Sequence, residues 1–200
     1  MMHREENTRF VHIPQELLNN AKIFADRFDV LPIIPDSGNY LELGVGGGDY
    51  AKWLLDNKNF ERSDLMDFFN EPCARYERWT AENHEDYVKD LLKEKNIKTI
   101  KGNIKETILT LNDKYSYIYI DAEHDYDSVY FYLEQASKLL ADGGVIGIND
   151  YTFWGWFEQE EYTCVEAVNQ FLNNNRQWKV VALSLGYCNY SDIYISRVMV

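Results

Sequence analysis

The sequence predicts an α/β fold: a mostly parallel, doubly wound sheet that carries one reversed strand at its end. Three observations predict it. Short apolar strands alternate with segments of helical period from Asn39 onward, the signature of strand–helix–strand units whose right-handed crossovers wind a sheet on both faces. A strand runs directly into the glycine-rich turn Gly44-Val45-Gly46-Gly47-Gly48, as at the first crossover of nucleotide-binding sheets. The last two strands, Lys179 to Leu183 and Asp192 to Val198, have only turn-rich residues between them, and strands joined without a helix run antiparallel.

Taken in order, apolar residues at helical spacing predict a helix from Gln15 to Phe28, and Pro32 to Gly38 then break the chain. A strand follows from Asn39 to Leu43, a helix from Asp49 to about Asp56, and a strand around Arg62 to Met66. The connection Asp67 to Trp79 is long, polar and aromatic, and is read as covering a site. Next come a helix from about Ala81 to Lys95, a strand from Ile97 to Lys101 and a short helix from Asn103 to Leu111. Tyr115 to Asp121 reads as a buried strand and Asp127 to Leu140 as an amphipathic helix stopped by Asp142-Gly143-Gly144. A further buried strand runs from Val145 to Asn149 and a helix from Cys164 to Leu172. Residues 1–36 form an N-terminal helical extension in this reading, and residues 37–200 the ligand-binding domain.

Composition narrows the function. A chain of 200 residues, 46% hydrophobic and 26% charged, is a globular protein, and no stretch is long and apolar enough to be a membrane helix. The polar N-terminus lacks the order of a signal peptide, so a cytoplasmic location is expected. Cys73, Cys164 and Cys188 have no CxxC spacing and read as reduced thiols. A net charge of −13 disfavours nucleic acid and anionic membranes, both of which need clustered cations.

Gly44, Gly46 and Gly48 let the backbone turn tightly and approach a ligand at the carboxyl edge of the first strand. Glu42 sets a carboxylate just before them, which suits a ligand ammonium group and repels pyrophosphate. An adenosine-bearing, phosphate-free ligand, S-adenosylmethionine, is therefore expected. Asp64 at the end of the second strand is assigned to the ribose hydroxyls, with Asp67 the competing position. Gly46 to Ala51 also satisfies the G-x-G-x-x-A fingerprint, which keeps an NAD-dependent oxidoreductase as the alternative, along with a non-catalytic S-adenosylmethionine-binding protein.

A second constellation lies at the ends of the next two central strands, where Asp121, His124, Asn149 and Asp150 converge on one crevice. Asp121, Asn149 and Asp150 supply oxygens of the kind that bind Mg²⁺, and His124 is the expected general base. Turn-satisfying roles for these acids and a capping role for His124 compete with that reading. The order Glu42 to Gly48, Ile120 to Tyr126 and Asp142 to Tyr151 resembles the class I S-adenosylmethionine-dependent methyltransferases, nearest the macrocin-type sugar O-methyltransferase branch. The resemblance implies a Rossmann-like seven-stranded sheet with an antiparallel last strand, a small-molecule acceptor methylated at a hydroxyl, and Asn103 beside the adenine. It also puts Glu42 and the glycines at the methionine moiety, Asp121 at cofactor, metal and catalysis, and a neutral Asn149 where metal-dependent relatives carry an acid. Aromatic residues from Tyr151 to Phe157, with Phe68, Phe69 and Trp79, are expected to wall the acceptor pocket, and the N-terminal helix either packs on the sheet or mediates a homodimer.

Overall fold

A computed structural model describes residues 11–70 and 83–198. Its elements in chain order are β1 (Lys22–Phe24), β2 (Asn39–Leu43), α1 (Asp49–Asn57), β3 (Arg62–Asp67), α2 (His84–Leu91), β4 (Ile97–Lys101) and α3 (Ile104–Thr107). They continue with β5 (Tyr115–Ile120), α4 (Tyr126–Leu139), β6 (Leu140–Ile148), β7 (Trp154–Gly155), β8 (Glu160–Glu161), α5 (Cys164–Asn174), β9 (Trp178–Ser184) and β10 (Asp192–Arg197). Eight strands form one sheet in the order β1-β9-β10-β6-β5-β2-β3-β4, and β7 with β8 makes a small separate hairpin. The reversed strand is the last in the chain, as expected, but it lies inside the sheet, antiparallel to both β6 and β9.

The extra strand comes from the segment expected to be helical. Between Gln15 and Phe28 the chain makes a short 3-10 turn at Gln15–Leu18, then β1, and a second turn beginning at Arg27. Asn20 at φ 67° ends the first turn, and β1 pairs in parallel with the otherwise open edge of β9, so ladder hydrogen bonds replace the amphipathic pattern. The sheet thus has eight strands where seven were expected. Further along, α4 passes straight into β6 at Leu140, so that Asp142-Gly143-Gly144 lies within the strand segment. The start of the expected helix at Ala81, together with Cys73 and Trp79, lies outside the described residues.

Two apolar layers cover the sheet. On one face α3, α4 and α5 pack Ile104, Leu133, Val168 and Phe171 against Leu41, Ile118 and Ile146. On the other, α1, α2 and the turns around Val30 and Ile34 cover a layer of tyrosines. Tyr40, Tyr117, Tyr119 and Tyr194 come from neighbouring strands and are fully buried. Tyr40 stacks on Tyr117 at 5.6 Å, and Tyr50 of α1 stacks on Tyr119 at 3.9 Å. Their hydroxyls find partners inside the layer: Tyr50 and Tyr117 share a 2.7 Å hydrogen bond, and Tyr40 donates to Glu42 at 2.6 Å. A buried hydroxyl left unpaired costs about 1–3 kcal/mol, so this pairing is what permits tyrosine where valine or isoleucine is usual.

The layer closes because Gly147 leaves it room. A Cβ at Gly147 would stand 2.8 Å from the Tyr117 hydroxyl and 3.0 Å from the Tyr194 ring. Gly147→Ala is therefore expected to destabilise the fold by about 1–3 kcal/mol, the usual range for overpacking, as read by urea denaturation. An unchanged midpoint would show that the tyrosine layer is loosely packed.

Candidate active site

The carboxyl ends of β2, β3, β5 and β6, with the first residue of the reversed β10, meet along one edge of the sheet. At that edge Gly44, Gly46 and Gly48 take φ values of 82°, 50° and 79°, conformations that L side chains rarely adopt. The loop opens α1, with Gly48 as its N-cap.

β3 runs to Asp67, beyond the expected end at Met66, and this sets the two acids in different surroundings. Asp64 is buried within the sheet, where it accepts from the Tyr115 hydroxyl at 2.6 Å and pairs with Arg62. It is a structural ion pair away from the edge, which corrects its assignment to the ribose. Asp67 stands at the strand end, and its Oδ2 accepts from Val45 N–H at 2.7 Å and Gly46 N–H at 3.1 Å. Those amides would cradle a pyrophosphate in a dinucleotide site. Here a carboxylate occupies them, which runs against the NAD reading.

Glu42 is buried beneath the loop, one link further from any ligand than expected. Burial holds its carboxyl well above the usual carboxylate range, the Tyr40 hydrogen bond opposes this, and the charge of Asp121 adds to it. Asn103 is found after β4, where its side chain caps α3 by accepting from Lys105 N–H at 2.9 Å. His84, buried at the start of α2, places Nε2 2.7 Å from the Gly46 carbonyl and fixes the loop from the other side.

The second constellation is brought together in part: Asp121, Asn149 and Asp150 share one crevice, joined by Arg27, Glu158 and Asp192, whereas His124 lies at a separate depression. Asp121 and Asp150 line a cavity of about 470 Å³ together with Arg27, Asn149, Glu158 and Asp192. His124 Nε2 lies 3.3 Å from Asp150 Oδ2, and its ring stacks on Tyr162 at 4.1 Å. It borders a separate depression formed with Glu123, Asp125 and Glu160, so it contacts Asp150 from behind and Asp150 faces the cavity. Asp150 is held at φ 52°, a strained backbone state for a residue other than glycine.

Arg27 and Asp192 were not singled out in the sequence. Arg27 fell inside the expected helix. Asp192 carried a usable signal, since the first residue of a reversed strand arrives at the edge where its parallel neighbours end. Asp192 accepts from Tyr119 at 2.8 Å and from Asn149 at 3.0 Å. Arg27 donates to Tyr119 at 3.3 Å and lies 3.8 Å from Asp121. Burial lowers the Arg27 pKa, but Tyr119, Asp121 and Asp192 together outweigh it and keep the guanidinium charged.

The acids respond to their crowding. Burial and then the charge of Asp150 push Asp121 up to about 7, against the pull of Arg27 and His124. Burial pushes Asp192 up to about 6, with Arg27, Tyr119 and Tyr194 opposing. His124 is lowered by burial, but the hydrogen-bonding and charge of Asp150, with Asp121, more than restore it, and the imidazole ends above its ordinary value.

These residues do not fit Mg²⁺. Asn149 donates its amide to Asp192 and, at 3.2 Å, to Tyr119, while Asp121 has Arg27 beside it and Asp150 has His124. Among the described residues no group of three or more His, Cys, Asp or Glu side chains could hold a metal ion. The expected magnesium site at Asp121, Asn149 and Asp150 is thus corrected to a network of hydrogen bonds and ion pairs.

A doubly wound sheet with one reversed interior strand, a glycine loop whose amides are held by a carboxylate and an acidic crevice beside it define a Rossmann-like domain of the methyltransferase class. The family model for a methyltransferase domain matches residues 41–151, more than half of the chain, and the protein belongs to that family. Solved structures agree in fold. An O-methyltransferase from Bacillus cereus in complex with S-adenosylhomocysteine is 18% identical, with 80% of this chain and 74% of that chain covered and a TM-score of 0.58. TomG from Streptomyces achromogenes, an O-methyltransferase of tomaymycin synthesis solved with S-adenosylmethionine, is 17% identical over 81% of this chain and 73% of its own, with a TM-score of 0.58. Aeropyrum pernix fibrillarin with bound S-adenosylmethionine is 17% identical over 83% and 69%, with a TM-score of 0.57. No curated protein matches the sequence. Among the described residues no helix is long and apolar enough to cross a membrane.

The raised carboxyl of Asp192 makes stability depend on pH in a fixed direction. Its folded value of about 6 exceeds the ordinary 3.8, so between these values the folded state binds more protons than the unfolded one, and stability falls as pH rises. Asp192→Asn removes that slope. Its stability relative to the parent is expected to improve by on the order of 2 kcal/mol from pH 4 to pH 7 in urea titrations. A constant difference across that range would show that Asp192 titrates normally.

Proposed function

We propose that the protein is an S-adenosylmethionine-dependent methyltransferase acting on a hydroxyl oxygen of a small molecule. The observation that carries this is the pairing of a glycine loop whose amides are held by Asp67 with a cavity into which Asp121 and Asp150 face. Carboxylates around the loop match a ligand with a positive methionine end and no phosphate. When bound, S-adenosylmethionine supplies a methyl carbon on an activated sulfonium, whose carbon–sulfur bond breaks as the bond to the acceptor oxygen forms.

The chain has three tasks. Asp67 stands where ribose hydroxyls can reach its remaining lone pairs, since each carboxylate oxygen accepts more than one hydrogen bond. Asp121, adjoining Gly44, offers a negative charge to the methionine end. Asp150 receives the hydroxyl proton with His124 behind it, 3.3 Å away, to carry the charge. The rest of the rate comes from holding the acceptor oxygen in line, away from water. The macrocin-type resemblance and the O-methyltransferases among the structural relatives support oxygen as the target.

Isothermal titration with S-adenosylhomocysteine tests the cofactor. Affinity of about 1 μM is expected, unaltered by Mg²⁺, with no heat from NAD. Asp67→Ala is expected to weaken this binding about tenfold or more, whereas Asp64→Asn lowers the melting temperature and leaves affinity nearly unchanged. The reverse pattern would return the ribose to Asp64.

For the proton, activity is expected to rise with pH through a limb above 6.5, the ordinary imidazole value that the Asp150 pairing raises. His124→Ala should lose this limb and about 100-fold in kcat. Retention of both would remove His124 from the mechanism.

A further inference from the structure

We propose that the acceptor carries a protonated amine as well as the hydroxyl that is methylated, and that Glu158 selects it. This rests on the methyltransferase reading and names the substrate class of the same cavity. That cavity is a site by virtue of its place beside the glycine loop, and its lining fixes what it can hold. Asp26, Asp121, Asp150, Glu158 and Asp192 bring five carboxyls to it, and among the described residues Arg27 is the only Lys or Arg in the lining. The guanidinium of Arg27 is engaged by Tyr119 and Asp121. An anionic acceptor would therefore meet repulsion from these five carboxyls, and among the described residues of the lining no second Lys or Arg offsets it.

The carboxyls divide between two ligands. A Cβ at Gly44 would fall 1.8 Å from the Asp121 carbonyl oxygen, so Asp121 belongs to the loop and to the methionine end of the donor. Glu158 belongs to the far wall. Its Oε2 accepts from the Tyr190 hydroxyl at 2.7 Å, and the Tyr190 ring stacks on Phe157 at 5.5 Å. Phe28 and Tyr187, both largely exposed, complete an aromatic rim around the same opening. Aromatic faces beside carboxylates are the chemistry that recognises an ammonium group, through cation–π attraction and ion pairing together. Hydrogen bonds from Tyr190 and Tyr162 and the nearby His124 charge outweigh burial and hold Glu158 below its ordinary pKa, hence ionised.

Three phenols that share a two-carbon side chain and end it in an ammonium, a hydrogen or a carboxylate test this: tyramine, para-ethylphenol and para-hydroxyphenylpropionate. Each is titrated into the protein alone and into the protein saturated with S-adenosylhomocysteine. Tyramine is expected to bind about tenfold more tightly than para-ethylphenol, with the propionate weakest, and added salt should narrow the difference. Glu158→Gln is expected to shrink the tyramine preference severalfold. Equal affinity for the three, preference for the propionate, or no binding of any at millimolar concentration overturns the proposal. The titration of S-adenosylhomocysteine by itself reports the cofactor reading separately, and the measurements on the protein alone decide the charge preference even if that reading fails.

Discussion

The site depends on one close approach. Gly44 lies so near the end of β5 that any side chain there would collide with the Asp121 carbonyl, at 1.8 Å. Around this contact three strand ends are laced together: Gly44 N–H donates to Met66 at 2.9 Å, and Asp121 N–H donates to Leu43 at 2.8 Å. The positive φ of Gly44 turns the chain away immediately afterwards, which clears the carboxyl edge of β2 for a ligand. Asp67 and Asp121, the acids on either side of the loop, take their positions from this lacing, and the rest of the cavity is built outward from Asp121.

Beneath the edge lies the tyrosine layer, and its effect on the site is electrostatic as much as steric. Tyrosine rings exclude water while their hydroxyls still supply donors, so an acid above them is desolvated without losing every partner. Asp192 shows the balance: Tyr119 and Tyr194 both donate to it, yet burial prevails and its pKa rises to about 6. A layer of isoleucine would take two of the three donors from Asp192, leaving it only Asn149, and a wetter layer would let it ionise freely. Titration near neutrality thus follows from the residue type beneath the acids.

What could be read in the sequence follows from the range over which each signal acts. The glycine loop, the carboxyl ends of the strands and the start of α4, read at Asp127 and found at Tyr126, are local, and each was placed within a residue or two. The reversed last strand was legible from a missing helix. Its interior position was not, because strand order is set by packing over the whole sheet. The segment from Gln15 to Phe28 misled because β1 exists only by pairing with β9, some 160 residues further along. Asp64 misled by three residues. The strand outruns its apolar pattern, and only the register Asp67↔Lys101 shows where the edge falls.

The proposed function divides its two ligands by origin along the chain. The matched family region, residues 41–151, contains the glycine loop, Asp67, Asp121, His124 and Asp150, the residues to which that proposal gives the donor and the proton. The outer cavity is made by Arg27 and Phe28 before that region and by Phe157, Glu158, Tyr190 and Asp192 after it. The early residues reach the site because β1 pins the N-terminal segment to the far edge of the sheet, and the late ones because β10 runs backward and delivers its first residue to the active edge. A reversed strand therefore does more than close the sheet: it makes a loop and a strand start available for acceptor recognition without disturbing the parallel core that holds the donor. Substitutions in these outer segments leave the lacing around Gly44 in place, so under the proposed function they bear on the acceptor rather than on the donor.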